Sequence, residues 1–259
     1  MPETAPPVIV ALETDLFFAV QIEDAARAAG ARPVVVGNAQ ALWDAIEAWP
    51  DLVLVDLTAA PGWDEVVRRA KALPDTRAIP IAAFGSHVDT AGLQAARAAG
   101  CNPVWARSRF VAELPNLIRT ALHPPIRWVE GWDEPPPPLL LKGVEQFNAG
   151  EYWPCHETLE TLWRAEPRPV RELYQGVLQV GVAFHHLTDR NYAGAIKLFH
   201  RGLSRLRGLP ETCQGVRVAA LAQAARAVHD AVVAIGPERI DEFDPAGLPR
   251  IEMEGTQRM

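Results

Sequence analysis

The stretch DLVLVDL, residues 51–57, has the composition of a buried β-strand that ends in an aspartate. Four other apolar runs have the same strand-like character, at 8–12, 33–37, 79–85 and 103–106. A helical pattern follows each of the five runs, at 15–30, 39–49, 63–73, 90–100 and 109–122. Apolar strands that alternate with amphipathic helices indicate a parallel sheet covered on both faces. Residues 1–122 are therefore predicted to form a doubly wound, flavodoxin-like α/β domain with five parallel strands.

A proline-rich stretch, HPPIRWVEGWDEPPPPLL at 123–140, separates this half of the chain from the second. Proline cannot continue a helix or a central strand. The four consecutive prolines at 135–138 favour an extended, semi-rigid connector. We therefore predict a linker at 123–138 and a second domain at 139–259.

The second domain shows helical periodicity and no strand pattern. Five helices are predicted, at 139–149, 153–165, 169–188, 191–208 and 214–235. The loops between them are short, which is typical of antiparallel neighbours in a helical bundle. The polar tail at 238–259 is expected either to cover the surface of this bundle or to be disordered.

The bulk composition restricts the class of protein. The chain has 259 residues, a formal net charge of −7 and 49% hydrophobic residues, which suits a soluble globular protein. The acidic balance argues against a nucleic-acid partner. Cys101, Cys155 and Cys213 are widely spaced, so neither a disulfide framework nor a cysteine zinc site is expected. With no signal-peptide pattern and no apolar run of membrane length, we predict a cytoplasmic protein without a membrane partner.

Residues 7–122, with Asp56 at the end of the third strand, resemble a response-regulator receiver domain. The resemblance implies that Asp56 is the phosphoacceptor. It also implies that an acidic pair after strand 1 binds magnesium. In addition, the family has a Ser or Thr at the end of strand 4 and a Lys at the end of strand 5. The corresponding positions in this chain hold Glu13, Asp15, Ser86 and Arg107.

These departures weaken the implied phosphorylation site. Magnesium needs several oxygen ligands, and the acidic pair is reduced to Glu13 with Asp15 just beyond it. Arg107 keeps the positive charge but lacks the compact ammonium of a lysine. An atypical, degenerate receiver that docks a protein partner, a second copy or its own helical domain is therefore favoured. The alternative is a phosphorylatable response regulator that uses Asp56.

The stretch EYWPCHETLETLW, residues 151–163, concentrates polar groups at the start of one predicted helix. His156, Glu160 and Trp163 are spaced i, i+4 and i+7, so they share one face of that helix. Glu157 lies on another side, near the helix start, where a negative charge is favourable.

The next predicted helix is apolar nearly all round, which is typical of a helix at the centre of its bundle. Its polar residues Gln175, Gln179 and His186 form one stripe. Because the connecting loop is short, we expect His156 and Glu160 to lie opposite Gln179 and His186. Buried polar side chains should then face one another or a ligand.

The ordered set of residues over about 140–208 resembles the DUF309 family, a domain of unknown function. The matching positions are Phe147, Asn148, Gly150, Tyr152, His156, Glu157, Glu160, Trp163, Gln175, Gly176, Gln179, Asn191, Gly194 and Ala195. The resemblance implies a helical fold and no established biochemical role.

Two interpretations of this cluster remain open. In the favoured one, His156, Glu160 and Gln179 satisfy one another as a buried polar network or line a small-ligand pocket. In the other, His156, Glu160 and His186 hold a divalent metal and Glu157 activates water, as in a metal-assisted hydrolase. HETLE lacks the second histidine of an HExxH motif, so an enzyme is the alternative and a regulatory, binding role is the prediction.

Overall fold

The structure, a computed structural model, describes residues 6–254. The chain forms two compact units that divide between Pro124 and Pro125.

The N-terminal unit is built on a five-stranded parallel sheet with the strand order β2-β1-β3-β4-β5. Its strands are β1 Val8–Leu12, β2 Arg32–Val36, β3 Leu52–Asp56, β4 Ile81–Gly85 and β5 Val104–Ala106. Its helices are α1 Leu16–Ala28, α2 Ala39–Glu47, α3 Trp63–Ala72, α4 Thr90–Ala99 and α5 Arg107–Leu122. This strand order is that of the doubly wound flavodoxin-like fold, so the predicted fold class is confirmed.

Alternating strand residues separate the core of this unit into two layers. In β3, Val53 and Val55 pack with α2, α3 and α4, whereas Leu52 and Leu54 pack with α1 and α5. All five residues of β3 are buried, as expected for a central parallel strand. Because the strands are parallel, Asp56 at the end of β3 lies at the sheet edge where the loops after the other strands also begin.

The C-terminal unit is a helical bundle. Its helices are α6 Pro138–Asn148, α7 Tyr152–Ala165, α8 Arg171–Thr188, α9 Tyr192–Leu206 and α10 Val218–Ile235, followed by 3₁₀ helices at Pro237–Glu242 and Pro245–Gly247. Aromatic rings from four positions fill its centre, with centroid separations of 5.5 to 5.8 Å between neighbouring rings of Phe147, Tyr152, Phe184 and Phe199. The predicted helical domain is confirmed.

The prediction of one helix over 214–235 is wrong at its start. Residues 212–217 form a short antiparallel hairpin, β6 Thr212–Cys213 and β7 Val216–Arg217, and α10 begins only at Val218. The two turn residues, Gln214 and Gly215, both have positive φ, which a two-residue type I′ hairpin turn requires and a helix excludes. Two-residue strands are too short to show alternation in the sequence.

The segment before α6 packs on the helical unit. The backbone N–H of Arg127 donates to the carbonyl of Gly208 at 2.6 Å, and the N–H of Gln214 donates to the carbonyl of Trp132 at 2.7 Å. Residues 125–137, which belong to the stretch predicted as a linker at 123–138, are thus part of the same compact unit as the helices.

The described part of the tail covers the surface of the bundle. The Asn148 side chain donates to the carbonyl of Ile251 at 2.9 Å and accepts from its N–H at 2.7 Å. Ile251 is buried, and Met253 forms a β-bridge with Val216. Of the two expectations for the tail, the structure shows surface coverage up to Glu254, whereas residues 255–259 lie outside the described part of the chain.

One described helix, α10, is long and apolar enough to cross a membrane by length and composition alone. The sequence analysis expected no such segment. This is weak evidence for a membrane span, because α10 packs against α9 and buries the stripe Leu221, Ala225, His229 and Val232 within the unit.

Candidate functional site

Asp56, the last residue of β3, is 1% exposed and has both carboxylate oxygens engaged. Nη2 of Arg107 lies 2.8 Å from Oδ2 and 3.1 Å from Oδ1. The backbone N–H of Thr58 donates to Oδ1 at 2.7 Å, and the Thr58 hydroxyl donates to the same oxygen at 2.8 Å. Asp56, Thr58 and Arg107 thus form one closed hydrogen-bonded group, called here the Asp56 cluster.

The fold brings the Asp56 cluster together because parallel strands end at one edge of a sheet. The helix predicted at 109–122 begins at Arg107, immediately after β5, so its first residue lies near the end of β3. The Arg107 guanidinium also lies 5.5 Å from the ring centroid of Phe18 on α1. Its hydrogen bond with Asp56 raises the pKa of Arg107, so the ion pair persists wherever the carboxylate is charged.

Glu13 lies beside this cluster as a second buried carboxyl group, 3% exposed. Its Oε1 accepts the backbone N–H groups of Thr14 and Asp15, each at 2.8 Å. Its Oε2 is buried and finds no hydrogen-bond partner among the described residues. Burial raises the pKa of Glu13, the bond from Asp15 opposes that rise, and the charge of Asp56 adds to it.

The other receiver-type positions have local structural roles. The Asp15 carboxylate accepts the N–H of Phe17 at 2.8 Å and so caps α1. Ser86 lies half-buried in the turn after β4, where its carbonyl accepts the N–H of Asp89. Thr58, which the sequence analysis missed, takes the hydroxyl position beside Asp56. The DLT order at 56–58 is the sequence feature that could have identified it, since Asp often bonds the backbone two residues on.

A receiver-type magnesium ion would need free oxygen ligands from Glu13, Asp15 and Asp56. In the observed arrangement Asp15 caps a helix, and Arg107 covers the oxygens of Asp56. Within residues 6–254, no group of three or more His, Cys, Asp or Glu side chains is placed to hold a metal ion. The residues at the Asp56 cluster therefore do not fit this ion as they are arranged.

In the helical unit, His156 contacts a tryptophan instead of the predicted glutamate. Its ring stacks on Trp153 with centroids 5.2 Å apart, and Trp153 lies 5.9 Å from the ring of His185 on α8. Nδ1 of His156 is buried without a hydrogen-bond partner in the described structure. Glu160 pairs with Arg164 at 2.8 Å, one turn along the same helix.

The predicted partners on α8, Gln179 and His186, do not form the expected contacts either. Oε1 of Gln179 is buried and has no partner in the described part of the chain. His186 Nδ1 lies 3.2 Å from Nδ2 of Asn191, whose Oδ1 accepts the N–H of Gly194 and caps α9. The expected hydrogen bonds among His156, Glu160 and Gln179 are therefore not formed. His185, one residue before the predicted His186, is the histidine that approaches Trp153.

The remaining predicted residues lie at the edges of this region. The Trp163 ring is covered by the Arg171 guanidinium at 4.7 Å, Glu157 is exposed, and Gln175 is half-buried on α8. The candidate metal ligands His156, Glu160 and His186 do not form a ready-made group in the described residues. Trp153, 53% exposed, was not predicted, although aromatic residues beside a histidine motif could have suggested it.

A second histidine arrangement escaped the sequence analysis altogether. Nε2 of His200 on α9 lies 3.0 Å from Nε2 of His229 on α10. Nδ1 of His229 lies 2.9 Å from Oδ1 of Asp230. Because the two histidines are 29 residues apart and belong to no shared motif, spacing alone could not have paired them.

Comparison with known proteins identifies the helical segment. Residues 140–198 match the family described as "Domain of unknown function (DUF309)". The uncharacterized protein YpuF of Bacillus subtilis (strain 168) is 35% identical over 73 residues, which cover 27% of this chain and 42% of that protein. The match therefore spans less than half the length of this relative.

Solved structures similar to the N-terminal half include two response regulators and the receiver domain of a sensor histidine kinase. A response regulator from Burkholderia multivorans has 22% identity and a TM-score of 0.41, covering 48% of this chain and all of that one. The receiver domain of sensor histidine kinase PA1611 from Pseudomonas aeruginosa PAO1, with a magnesium ion in its active-site cleft, has 22% identity and a TM-score of 0.40, covering 46% and 98%. A response regulator from Thermotoga maritima has 15% identity and a TM-score of 0.39, with the same coverage.

The strand order of the N-terminal unit itself establishes the flavodoxin-like fold. The predicted DUF309 resemblance is confirmed by the family match. The chain therefore carries a flavodoxin-like α/β domain followed, at residues 140–198, by a segment that matches the DUF309 family.

Proposed function

We propose that this is a regulatory protein whose receiver-like domain acts without phosphorylation, as a constant protein-docking module joined to a binding domain of the DUF309 type. The observation that carries the proposal is the Asp56 cluster, in which Arg107 and Thr58 engage both oxygens of a carboxylate that is 1% exposed.

Phosphoryl transfer to a carboxylate depends on a free nucleophilic oxygen and on a cation that neutralises the phosphoryl charge. Here the carboxylate of Asp56 is held by a guanidinium and by two hydrogen bonds from Thr58. A phosphoryl group could reach Asp56 only if Arg107 moved away, and that would leave the buried carboxylate of Asp56 without its charged partner, which is unfavourable. The cluster therefore opposes the reaction that the fold otherwise suggests.

Glu13 supports the same interpretation. Burial raises its pKa, so it is a weaker anionic ligand than a solvated carboxylate. Its Oε1 is already used by the backbone of residues 14 and 15. The oxygen set that would hold a divalent cation is thus reduced both in number and in charge.

For the DUF309 domain, the support comes from Trp153 and His156. A tryptophan that is 53% exposed and rests on a histidine with a buried, unsatisfied nitrogen has the properties of a contact residue. We assign the partner- or ligand-binding surface of this domain to Trp153, His156 and His185. Trp153→Ala should abolish partner or ligand binding while leaving the fold intact.

The decisive experiment treats the full chain with acetyl phosphate and Mg²⁺ and measures intact mass. We expect no phosphoryl adduct on the wild-type protein, whereas a phosphorylatable receiver in the same reagent should be modified. Asp56→Asn serves as the matched control for the site. Stoichiometric modification of the wild type that is absent from Asp56→Asn would overturn the proposal and favour a phosphorylated response regulator.

A further inference from the structure

Helix α3 presents an exposed face on the α/β unit, opposite the face that packs on the sheet. Trp63, Val67 and Ala70 are buried on the inner side. The outer side carries a stripe at helical spacing, formed by Gly62, Glu65, Val66, Arg69 and Leu73. Leu73, the residue that follows the last turn, is 40% exposed although its side chain is large and apolar. One apolar side chain and two opposite charges therefore share a solvent-facing stripe.

The two charges on this stripe do not pair with each other. Asp64 and Arg68, one turn apart on α3, form an ion pair at 2.9 Å. Glu65 and Arg69 have the same i, i+4 spacing, which favours pairing, yet neither forms an ion pair with any described residue. The Arg69 guanidinium lies instead over the ring of Trp43 on α2, with Cζ 3.7 Å from the ring centroid. A negative and a positive charge thus remain available on the same face.

An open cleft of about 200 Å³ lies beside the stripe, between the N-terminal ends of α2 and α3. Trp43 and Val66 line it with apolar surface, and Gly62, at φ 82°, contributes backbone without a side chain. Glu65 and Arg69 line the same cleft. Since a cavity of about 150 Å³ can hold a benzene ring, this cleft is large enough for the isobutyl group of a leucine.

The order of these features along α3 makes the face self-complementary. In a two-fold symmetric pair each contact occurs twice, with the roles of the two copies exchanged. A two-fold axis that crosses α3 at the level of Val67 places Glu65 opposite Arg69 of the second copy, because both lie two residues from Val67. Leu73 lies six residues, or about 9 Å, beyond Val67. It therefore comes opposite Pro61 of the second copy, next to the cleft at Gly62.

We propose that α3 is the surface through which the receiver-like domain docks a second copy of this chain. The two α3 helices pack antiparallel, Glu65 of each copy pairs with Arg69 of the other, and Leu73 of each copy enters the other's cleft. This inference rests on the docking role proposed above and names its occupant, a second copy. It assigns a role to Glu65, Arg69 and Leu73 that the packing of the isolated unit does not give them.

The two kinds of contact contribute differently to this dimer. Burial of Leu73 supplies affinity, whereas exposed ion pairs add little affinity and mainly fix the register. Each chain has a formal net charge of −7, so two copies repel each other over most of their surface, and opposite charges at matching positions select this face. A contact made by one helix from each copy is at the low end of interface size, so the dimer is weak and reversible.

The test is analytical ultracentrifugation of the full chain at low salt, over about 10 to 500 μM, the range suited to a weak interface. The wild type should form dimers in this range. Glu65→Arg makes both charged positions positive and Arg69→Glu makes both negative, so each variant alone should dimerise at least about tenfold more weakly. Because each variant supplies the charge that the other lacks, an equimolar mixture should form mixed dimers within about threefold of the wild-type affinity.

Arg109→Glu is the matched control, since Arg109 is also exposed and also lies over a tryptophan ring, at 5.2 Å from the centroid of Trp105. It should dimerise like the wild type. Should a charge variant fail to fold, Leu73→Ser gives a second measurement, with dimerisation at least about tenfold weaker.

A monomeric wild type throughout the range overturns the proposal. It is also overturned if Glu65→Arg and Arg69→Glu dimerise like the wild type, if their mixture stays monomeric, or if Arg109→Glu weakens the dimer as much as they do. None of these substitutions touches the Asp56 cluster, so the result is independent of the acetyl phosphate experiment that tests the proposed function.

Discussion

The buried polar atoms of Asp56 and those of the DUF309 motif differ in how many hydrogen bonds they form. The carboxylate of Asp56 receives hydrogen bonds from Arg107 and Thr58 at both oxygens. His156 Nδ1 and Gln179 Oε1 are buried, yet have no partner in the part of the chain that the structure describes. A satisfied buried charge resists rearrangement, whereas an unsatisfied polar atom gains from any ligand that supplies a hydrogen bond. We infer a static receiver-like domain and a receptive helical domain.

The largest expected effect is the loss of Arg107. Arg107→Ala leaves the carboxylate of Asp56 buried with Thr58 as its remaining partner. Breaking a fully buried pair typically costs 3–5 kcal/mol, and because the Arg107 side chain is 34% exposed we expect about 2–3 kcal/mol. Urea unfolding followed by hydrogen exchange of β1 and β3 measures it.

Arg109→Ala is the control for this prediction, since Arg109 is exposed and lies over Trp105. Its effect should stay below about 1 kcal/mol. Equal losses for the two arginine variants would mean that the Asp56 cluster contributes nothing special to stability.

A smaller loss of stability is expected at Gln214, whose side-chain oxygen and nitrogen both form hydrogen bonds. Its Oε1 accepts from the Tyr174 hydroxyl at 2.8 Å, and its Nε2 donates to the Gly131 carbonyl at 3.0 Å. Gln214→Met leaves both partners without a hydrogen bond in a site that is 2% exposed, and we expect a loss of about 1–2 kcal/mol in the helical domain. Thermal unfolding followed by near-ultraviolet circular dichroism checks it. A neutral result would show that this bond is dispensable.

Glu13→Gln should change the pH dependence of the receiver-like domain. Because the pKa of Glu13 is raised in the folded state, the wild type loses stability as the pH rises through the window above the ordinary value of 4.5. The amide keeps an acceptor for the N–H groups of Thr14 and Asp15. We therefore expect the variant to be more stable than the wild type at pH 7 and equal to it below about pH 4, in urea titrations at both pH values. A variant that is less stable at pH 7 would contradict the raised pKa.

The smallest effect is expected at Gln179. Gln179 is half-buried, and its buried Oε1 has no hydrogen-bond partner to lose, so Gln179→Met should change stability by less than about 1 kcal/mol, in either direction. The same thermal unfolding used for Gln214→Met provides the comparison. If Gln179→Met costs as much as Gln214→Met, the contrast between satisfied and unsatisfied groups in this domain is wrong.

The architecture could be predicted from local patterns in the sequence. The apolar runs of β1 to β5 and the helical periodicities between them depend on neighbouring residues, so they could be read directly. Asp56 and Arg107 were selected because their positions after β3 and β5 resemble those of a receiver. The two-residue strands β6 and β7 carry no periodic pattern, and the positive φ of Gln214 is set by the turn that it forms.

The contacts of the DUF309 motif depend on tertiary structure to a greater degree. The i, i+4 spacing predicts that His156 and Glu160 share one face of the helix. It does not reveal that Glu160 pairs with Arg164, one turn further along the same helix. The choice of His185 over His186 beside Trp153 is a rotation of one residue about α8, finer than periodicity can resolve. The His200–His229 contact requires two distant helices to be adjacent, which no local pattern states.

The central claim, that Arg107 keeps Asp56 out of phosphoryl chemistry, is tested most directly by NMR of the full chain with beryllium fluoride and Mg²⁺, a mimic of the phosphoryl group. The account predicts that the amide signals of Asp56 and Thr58 and the Arg107 guanidinium signal stay in place on addition of the mimic. Saturable shifts of these three signals that vanish in Asp56→Asn would contradict it and would show that the cluster opens to accept a phosphoryl group.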